Sequence, residues 1–431
     1  MLRIAIIADD LTGANDTGVQ FCHHGFNTLV IIDPASINDL NVHPGKVLSI
    51  NTNSRSMKAD EAYTAVYNIA EILRNKKISH LYKKIDSTLR GNPGVELDAL
   101  MDASQAPLGL VIPSFPANGR IVRDGNLYVM NTISSSRLPS AELNMKTHCY
   151  IPEVLKQQMK RKVGLIELEN VRKGTEQLLE AIQQAQKEYE VLVIDAVTEK
   201  DLENIACAIK SLSKSIIAGS AGFASYIDLS WNVKGNPSKQ TIKKIPDDGV
   251  TLFVAGSRNP ITTQQIDELS KVTNCVPVAL NPAAMIDIEQ RKQEIERVMK
   301  IILNNLYYSN TVIITVGNQM AVSEGYVKIG SIIAKTIGTI VNQLSLILNI
   351  KGLIIAGGDT ALNICNSLDV AGINLVTELL DGIPFGYLYG KKLDGLPIVT
   401  KAGGFGTPDA FVKIYNMFSE FDNNAEGIQL L

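Results

Sequence analysis

The stretch from Lys83 to Gly94 holds the densest set of chemically useful groups in the first half of the chain. Within twelve residues it combines three cations, one carboxylate, two hydroxyls and two glycines. A strand predicted at 80–82 precedes it, and a helix predicted from about Val95 follows. Charge runs that merely face solvent usually lack interleaved hydroxyls and flanking glycines. We therefore expect this loop to bind an anion.

Two adjacent carboxylates, Asp9 and Asp10, follow an apolar run at 3–8 that is typical of a strand. Open α/β sheets bind their ligands at the carboxyl ends of strands. One of these acids is expected to cap the helix predicted from about Ala14, which leaves the other to coordinate Mg²⁺ or orient a hydroxyl. Arg55 follows a strand predicted at 47–50, and its guanidinium matches a carboxylate bidentately. The alternative for Arg55 is an ordinary solvent-facing loop arginine.

Two glycine-rich loops in the second half are candidates for phosphate binding. The first, Gly357 to Thr360, lies between a buried strand predicted at 353–356 and a helix predicted at 361–368. Unpaired N–H groups at a helix start, beside glycines without Cβ atoms, accommodate an anion. We expect Asp359 or Thr360 to cap that helix. The alternative is a turn in which the glycines only serve the bend.

The second loop, Lys401 to Gly406, follows a strand predicted at 397–400 and adds a point charge at Lys401. Two such loops, each after a buried strand, can line one nucleotide cleft with backbone N–H groups. The sequence has no Gly-x-x-x-x-Gly-Lys-Ser/Thr motif of a P-loop. It also has no Gly-x-Gly-x-x-Gly in a dinucleotide-binding context.

Alternation of apolar runs with helical periodicity predicts an α/β fold with two αβα-layered domains, mainly parallel sheets and a cleft between them. Further strands are predicted at 29–32, 108–112, 191–194, 216–218, 251–255 and 312–316. The polar segment 232–249, which contains Gly and Pro, is typical of an interdomain linker. We therefore expect an N-terminal domain at 1–231 and a C-terminal domain at 250–431.

Composition argues against several classes of function. The 431 residues are 45% hydrophobic and 20% charged, as in an ordinary globular protein. A formal net charge of -3 gives no reason to expect a nucleic-acid partner. The apolar start is too short for a signal peptide, and the scattered cysteines fit reduced thiols in a cytoplasmic protein. Polar residues interrupt the apolar stretch 337–356, so we expect a buried helix and then a strand, with no membrane partner.

Five motifs together resemble the four-carbon acid sugar kinase family, in an order and spacing that cover nearly the whole chain. They are Asp9-Asp10-Leu11-Thr12-Gly13-Ala14, Lys84 to Gly91, Phe115-Pro116 with Gly119-Arg120 and Asp124-Gly125, Gly357-Gly358-Asp359-Thr360, and Lys401 to Gly406. Within that family, Asn15-Asp16-Thr17-Gly18 is most similar to the D-threonate kinase branch. The chain departs from the family pattern at 134–137 and at His148-Cys149, where we assign no role.

The resemblance implies an N-terminal domain that binds a small sugar acid and a C-terminal domain that binds ATP. The implied reaction phosphorylates the terminal hydroxyl of the acid, with ATP and Mg²⁺ as cofactors. D-threonate is the expected substrate, giving 4-phospho-D-threonate, and D-erythronate or 3-oxo-tetronate is the alternative. The expected substrate-binding residues are Asp9, Asp10, Arg55, Lys83, Lys84, Asp86, Ser87 and Arg90. The expected ATP-binding residues are Ser257, Gly357, Gly358, Asp359, Thr360, Lys401, Gly403 and Gly404.

Three carboxylates are candidates to accept the proton of the hydroxyl: Asp10 and Asp86 on the substrate side and Asp359 on the nucleotide side. The residue types do not choose among them, and they leave the metal ligands and a homo-oligomeric state open. Two other functions are alternatives. A hydroxy-acid dehydrogenase is disfavoured by the missing dinucleotide motif, and a nucleotide-binding regulatory module by the intact loop from Lys84 to Gly91.

Overall fold

Contacts within the chain divide it into two units. Unit 1 comprises Met1–Thr28 and Asp33–Ser238, and unit 2 comprises Leu29–Ile32 and Lys239–Leu431. The computed structural model describes residues 3–40, 45–130, 145–212, 214–236, 241–242, 248–317, 326–423 and 428–429. Both units are α/β with mainly parallel strands, which confirms the predicted fold class.

The first 231 residues alternate strands and helices. The strands are β1 (Ile4–Ala8), β2 (Asn27–Ile31), β3 (Lys46–Asn51), β4 (His80–Lys84), β5 (Leu108–Ile112), β6 (Arg120–Arg123), β7 (Asn126–Met130), β8 (Met145–Tyr150), β9 (Val163–Ile166), β10 (Val191–Ile194) and β11 (Ser215–Gly219). The helices are α1 (Leu11–His23), α2 (Ala59–Asn75), α3 (Pro93–Ser104), α4 (Ile151–Gln158), α5 (Leu168–Arg172), α6 (Thr175–Ala185), α7 (Glu199–Ile209), α8 (Ala221–Ala224) and α9 (Ile227–Trp231).

The parallel sheet of unit 1 has the strand order β3-β1-β4-β11-β5-β10-β9. Its strand β1 has the sequence Ile-Ala-Ile-Ile-Ala and is buried over its whole length. It pairs in parallel with β3 on one side and β4 on the other. A strand that is paired along both edges and covered on both faces accepts apolar residues at every position, and this run supplies them. The carboxyl ends of β3, β1 and β4 therefore lie side by side.

The chain from residue 241 onward contains the remaining elements. The strands are β12 (Thr241–Ile242), β13 (Val250–Ala255), β14 (Val278–Leu280), β15 (Thr311–Val316), β16 (Ile350–Ala356), β17 (Gly372–Leu380), β18 (Ile383–Tyr389), β19 (Pro397–Lys401) and β20 (Ile428–Gln429). The helices are α10 (Pro260–Thr273), α11 (Ile288–Asn305), α12 (Tyr326–Ile347), α13 (Gly358–Ser367) and α14 (Ala410–Asn423).

The sheet of unit 2 runs in the order β14-β15-β13-β16-β19-β18-β17. Its strands are parallel from β14 to β19, and β18 and β17 are antiparallel. The buried helix and strand predicted for the apolar stretch 337–356 are confirmed, because α12 ends at Ile347 and β16 spans Ile350–Ala356. Among the helices of the described ranges, none has both the length and the apolar character needed to cross a bilayer.

The antiparallel elements were not predicted individually. Strands β6, β7 and β8 form a separate antiparallel sheet. Between β6 and β7, Asp124 and Gly125 have φ of 53° and 70°. Two consecutive positive φ angles are those of a tight hairpin turn, for which Asp-Gly is a strong sequence signal. The same Asp-Gly pair, at Asp381 and Gly382, joins β17 to β18.

The N-caps of α1 and α13 can be compared with the capping residues predicted from the sequence. Asp10 caps α1, and its side chain accepts a hydrogen bond of 2.8 Å from the N–H of Gly13, as expected for one of the two acids. The prediction that Asp359 or Thr360 caps α13 is wrong. Gly357 is the N-cap, with φ of 116°, and the helix begins at Gly358. This φ favours glycine, so the chain enters the helix two or three residues earlier than the side chains suggest.

Close packing between β4 and β11 yields a prediction for stability. A Cβ added at Gly219 would overlap the hydroxyl of Tyr82 and lie 3.1 Å from its Cζ. We expect Gly219→Ala to lower the free energy of unfolding by about 1 to 3 kcal/mol through overpacking. In a Tyr82→Phe background the same substitution is expected to cost less, because the overlapping oxygen is gone. Thermal and urea unfolding of the four variants measures this coupling, and equal costs in both backgrounds would contradict it.

Candidate functional site

The parallel registers of β3, β1 and β4 gather most of the predicted acid-binding residues at one edge of the sheet in unit 1. Ala8, the last residue of β1, pairs with Asn51 of β3 and with Lys84 of β4. The segments that follow these strand ends hold Asp9, Arg55 and Asp86. Residues far apart in sequence thus meet because their strands end at the same level.

Arg55 binds both neighbouring carboxylates of the Asp9-Asp10 pair. Its Nε and Nη2 donate to the two oxygens of Asp9 at 2.7 and 2.9 Å, and its Nη1 donates to Asp10 Oδ2 at 2.6 Å. Nη2 also lies 3.6 Å from Asp86 Oδ1. Arg55 is therefore a carboxylate clamp, as its sequence context suggested, but its partners are carboxylates of the protein itself.

The two carboxylates held by Arg55 differ in acidity. Burial alone would raise the pKa of Asp9, but the hydrogen bonds of Arg55 and the charges of Lys83, Arg55 and Lys84 hold that pKa below its usual value. Burial raises the pKa of Asp10 above its usual value, with Arg55 opposing the rise and the Asp9 carboxylate adding to it. Asp10 is thus the more basic of the pair.

Asp86 is held by its own loop. Arg90 donates from Nε and Nη2 to the two Asp86 oxygens at 2.9 and 2.8 Å. The hydroxyl of Thr88 also donates to Asp86 Oδ2. Burial opposes ionisation, yet these hydrogen bonds and the charges of Arg90 and Arg55 hold the pKa of Asp86 far below its usual value. Asp86 is therefore a fixed negative charge.

The two adjacent lysines of β4 point to opposite faces, as alternation along a strand requires. Lys83 is fully buried, and its ammonium contacts Glu96 Oε2 at 2.7 Å, the Lys84 carbonyl at 2.8 Å and the Ile7 carbonyl at 3.2 Å. These three acceptors occupy its three protons. Lys84 Nζ donates to the Ile85 carbonyl at 2.8 Å. In the described part of the chain, no carboxylate oxygen lies within 4.0 Å of Lys84 Nζ.

Ser87 and Arg120 also lie after strands that end at this edge of the sheet. Ser87 is half-buried in the loop between Asp86 and Arg90. Arg120 belongs to the Gly119-Arg120 motif but was not predicted as a site residue. It is half-buried, and the charges of Asp86 and Arg90 act on its guanidinium. The sequence signal for Arg120 was its place beside Gly119 in a loop that follows β5, another strand of the same parallel sheet. Nothing local connected that loop with the one after β4.

In unit 2, three adjacent parallel strands bring the predicted nucleotide-binding residues together. Ala255 of β13 pairs with Ala356 of β16, which pairs with Lys401 of β19. The turns after these strands touch. A Cβ on Gly403 would overlap the Ser257 hydroxyl, and a Cβ on Gly357 would lie 3.5 Å from the Ser257 nitrogen. These glycines therefore serve close approach between the loops as well as the bends.

Lys401 is a buried cation beside these loops. It is 2% exposed, and its Nζ lies 3.3 Å from the Gly403 carbonyl and 3.5 Å from Thr262 Oγ1. Among the residues that the structure describes, no carboxylate lies within 4.0 Å of this ammonium. Burial lowers the pKa of Lys401 from 10.5 to about 8. A buried charge without a counter-ion is costly, and an anion bound nearby would offset that cost.

The start of α13 adds backbone donors to this environment. The N-cap is Gly357, which has no side chain to cap the helix, and within the described ranges no side chain accepts from the N–H groups of Gly358, Asp359 and Thr360. Thr360 is buried and packs against Gly256, whereas Asp359 is exposed. N–H groups at the start of a helix can bind the phosphates of a nucleotide.

The carboxylates near the nucleotide loops include a candidate ligand for Mg²⁺. Within the described ranges, no three His, Cys, Asp or Glu side chains form a ready metal cluster. Magnesium in nucleotide sites is commonly held by one or two carboxylates together with phosphate oxygens and water. Asp359 offers one exposed carboxylate at the start of α13. This residue would fit a Mg²⁺ ion whose other ligands are the phosphates of the nucleotide and water.

Comparisons with known proteins assign the two halves of the chain to two domain families. Residues 4–227 match a family described as "Sugar-binding N-terminal domain", and residues 252–411 match one described as "Nucleotide-binding C-terminal domain". The crystal structure of a Salmonella typhimurium LT2 protein is similar with a TM-score of 0.77, covering 97% of this chain and 100% of that one. Its sequence identity is 24%, so that likeness shows the fold alone.

Two relatives match over nearly their full length. A D-erythronate kinase of Heliobacterium modesticaldum is 30% identical over 435 residues, covering 95% of each chain. A D-threonate kinase of Salmonella typhimurium is 30% identical over 437 residues, covering 97% of this chain and 99% of that one. With both domain families matched in order as well, this chain belongs to the four-carbon acid sugar kinase family.

Proposed function

We propose that this protein transfers the γ-phosphoryl group of ATP to the terminal hydroxyl of a four-carbon sugar acid. The observation that carries the proposal is the buried ammonium of Lys401, which has no carboxylate within 4.0 Å among the described residues, in a segment that matches a nucleotide-binding domain. The backbone of Lys401 also contacts the start of α13, because its carbonyl accepts from the Gly357 N–H at 2.9 Å. D-threonate is our first choice of substrate, giving 4-phospho-D-threonate, because of the resemblance of 15–18 to that branch. D-erythronate and 3-oxo-tetronate are the alternatives.

The two halves of the chain have separate tasks in this proposal. Residues 1–231 form the acid-binding domain, 232–249 the linker and 250–431 the nucleotide-binding domain. Matches to a sugar-binding family at 4–227 and a nucleotide-binding family at 252–411 support this division. ATP, when bound, supplies the phosphoryl group, and Mg²⁺ neutralises charge on its phosphates.

The acid is bound by the charged edge of the sheet in unit 1. A small sugar acid has little apolar surface, so its affinity depends on charge-assisted hydrogen bonds of about 1.5 to 3 kcal/mol each. We propose Asp10, Lys84, Asp86, Ser87 and Arg90 as contacts of the acid. The hydrogen-bond donors of Arg55 and Lys83 already bind carboxylates of the protein, so we propose a different role for these two residues.

Arg55 and Lys83 hold other side chains in position. Arg55 fixes Asp9 and Asp10, while Lys83 fixes Glu96, which in turn accepts a hydrogen bond of 2.6 Å from the Ser54 hydroxyl. We therefore propose positioning roles for Asp9, Arg55 and Lys83 in place of direct substrate contact. Lys83 departs furthest from the expectation, because no donor of its ammonium is left for a ligand.

We propose Asp10 as the group that accepts the proton of the attacking hydroxyl. The hydroxyl oxygen forms a bond to the γ-phosphorus, the bond to the leaving ADP oxygen breaks, and the proton passes to the Asp10 carboxylate. Asp10 suits this step because burial raises its pKa. Asp86 suits it poorly, because the hydrogen bonds from Arg90 and Thr88 hold its pKa far below the usual value. Asp359 is assigned to the metal and phosphates instead.

The proposed activity is tested by incubating the protein with ATP, Mg²⁺ and a panel of threonate, erythronate and 3-oxo-tetronate isomers. We expect ADP release with at least one acid, and a product that carries phosphate on the terminal hydroxyl. No turnover with any of them would refute kinase activity on four-carbon acids. Absorbance of a reduced nicotinamide cofactor, without ADP release, would point to the dehydrogenase alternative.

The role of Asp10 is tested by Asp10→Asn, which keeps a good N-cap for α1 but removes the base. We expect kcat to fall by about 10²- to 10⁴-fold, while ATP binding measured by calorimetry stays unchanged. Asp33→Asn is the matched control, because Asp33 also caps a helical turn and accepts from the N–H of Ala35 at 3.0 Å. Equal kcat values for the parent and Asp10→Asn would assign the base elsewhere.

The role of Lys401 is tested by Lys401→Met, which removes the buried charge but keeps an apolar stem. We expect ATP affinity to fall by about 10- to 100-fold and the free energy of unfolding of the free protein to rise by about 1 to 3 kcal/mol. The folded state disfavours the charged lysine, because burial lowers its pKa from 10.5 to about 8. The stabilisation should therefore be full below pH 8 and fade as the pH approaches 10.5.

Lys413→Met is the control for this test. Lys413 lies on α14, where its Nζ forms an exposed ion pair of 3.0 Å with Asp409. We expect that variant to change neither nucleotide affinity nor stability by a comparable amount. Unaltered ATP affinity in Lys401→Met would exclude Lys401 from the nucleotide site.

A further inference from the structure

The cations at the acid-binding edge of unit 1 divide into two groups by what they already bind. Arg55 uses all three of its nitrogens on Asp9 and Asp10. Arg90 uses Nε and Nη2 on Asp86, and Lys83 is buried against Glu96. These three side chains neutralise carboxylates of the protein. Their positive charge is therefore largely neutralised within the protein before a ligand binds.

Arg120 belongs to the second group. Its Nη1 donates to the Asn118 carbonyl, and within the described ranges no carboxylate oxygen lies within 4.0 Å of its guanidinium. Gly219 of β11 pairs with Lys84 at the end of β4 and with Ile112 at the end of β5, so the loop that carries Arg120 lies at the same edge of the sheet as Asp86 and Arg90. The charges of Asp86 and Arg90 also act on its guanidinium. It is half-buried, so a ligand can reach it while water screens it only in part.

The backbone holds Arg120 firmly. Its N–H donates to the Phe115 carbonyl at 3.0 Å, and its own carbonyl accepts from the Phe115 N–H at 2.7 Å. This pair closes a loop that contains Pro116 and turns at Gly119, which has φ of 67°. Arg120 also begins β6, so its Cα is fixed by a loop closure and a strand. A guanidinium on such a base is pre-organised for bidentate binding.

We propose that Arg120, together with Lys84, binds the carboxylate of the sugar acid and so makes the protein specific for an acid over a neutral polyol. The inference rests on the proposed kinase function and names the group that recognises the charged end of its substrate. Lys84 is the other cation with no carboxylate within 4.0 Å among the described residues, and its ammonium supplies a second charge. The remaining carboxylates, Asp10 and Asp86, suit the hydroxyls, because carboxylates accept hydrogen bonds from hydroxyls and repel a charged carboxylate.

The test compares the parent protein with Arg120→Gln, Arg120→Lys and Arg123→Gln. Arg123 ends the same strand, is exposed and carries the same charge, which makes it the matched control. Binding of D-threonate, of D-erythronate and of ATP is measured separately by calorimetry, and turnover is measured with each acid and with threitol, a four-carbon polyol without a carboxylate. Thermal unfolding of each variant verifies that it is folded.

We expect Arg120→Gln to weaken acid binding by about 10- to 100-fold, and Arg120→Lys by less, with ATP binding unchanged. The ratio of kcat/KM for the acid to that for threitol should fall by a similar factor, whereas Arg123→Gln should leave it unchanged. A structural role alone would not move this ratio. Acid affinity in Arg120→Gln equal to that of the parent would overturn the inference while leaving the kinase proposal intact.

Binding and turnover separate the two hypotheses. If the parent protein binds a four-carbon acid and loses that binding on Arg120→Gln but transfers no phosphate, the kinase proposal fails and the Arg120 assignment holds. If the parent binds none of the acids, the assignment is overturned. A loss of acid binding in Arg123→Gln equal to that in Arg120→Gln would also overturn it, since general charge would then explain the effect.

Discussion

Burial of like charges at adjacent strand ends is the constraint on which the acid-binding edge depends. Asp9 and Asp10 are consecutive where β1 ends, and Asp9 is buried while Asp10 is half-buried. Two partly desolvated carboxylates on neighbouring residues disfavour each other's ionisation unless a cation neutralises them. Arg55 does so with three nitrogens, and it also reaches towards Asp86. The loops after β1, β3 and β4 are thereby connected through one guanidinium.

This arrangement makes the site rigid before any ligand binds. Asp10 is held from one side by the Gly13 N–H and from the other by Arg55, and Asp86 is held by Arg90 and Thr88. Phosphoryl transfer depends on position and charge more than on covalent chemistry, so pre-positioned groups are what a kinase needs. The unequal pKa shifts of Asp10 and Asp86 then separate a base from a fixed charge.

Near the predicted nucleotide loops of unit 2, the buried charge is a cation, whereas in unit 1 it is a group of carboxylates. There the Lys401 ammonium is buried against the Gly403 carbonyl and the Thr262 hydroxyl, with no carboxylate within 4.0 Å among the described residues. Glycines let the three loops pack against one another at Ser257 and Thr360. The free protein bears the cost of that buried charge, and a bound phosphate chain would relieve it. A stability cost that ligand binding removes is a common mark of a functional site.

Much of the fold was predictable because buried parallel strands leave a clear local trace. The apolar runs of β1, β5, β10 and β16 predicted their strands within a few residues, since strands covered on both faces need not alternate. The hairpin between β6 and β7 was missed although Asp124-Gly125 signals it locally. The start of α13 was misplaced because Gly357 adopts a conformation that the neighbouring Asp359 and Thr360 did not reveal.

By itself, the sequence determined which residue types stand at the strand ends, and therefore that acids, cations and glycines would meet there. It did not determine which cation pairs with which acid. Strand order and register decided that Arg55 is occupied by Asp9 and Asp10, that Lys83 faces Glu96, and that Arg120 retains a guanidinium without a carboxylate within 4.0 Å in the described ranges. The physical reason is that a charge interaction depends on distance and burial, which only the packed sheet sets.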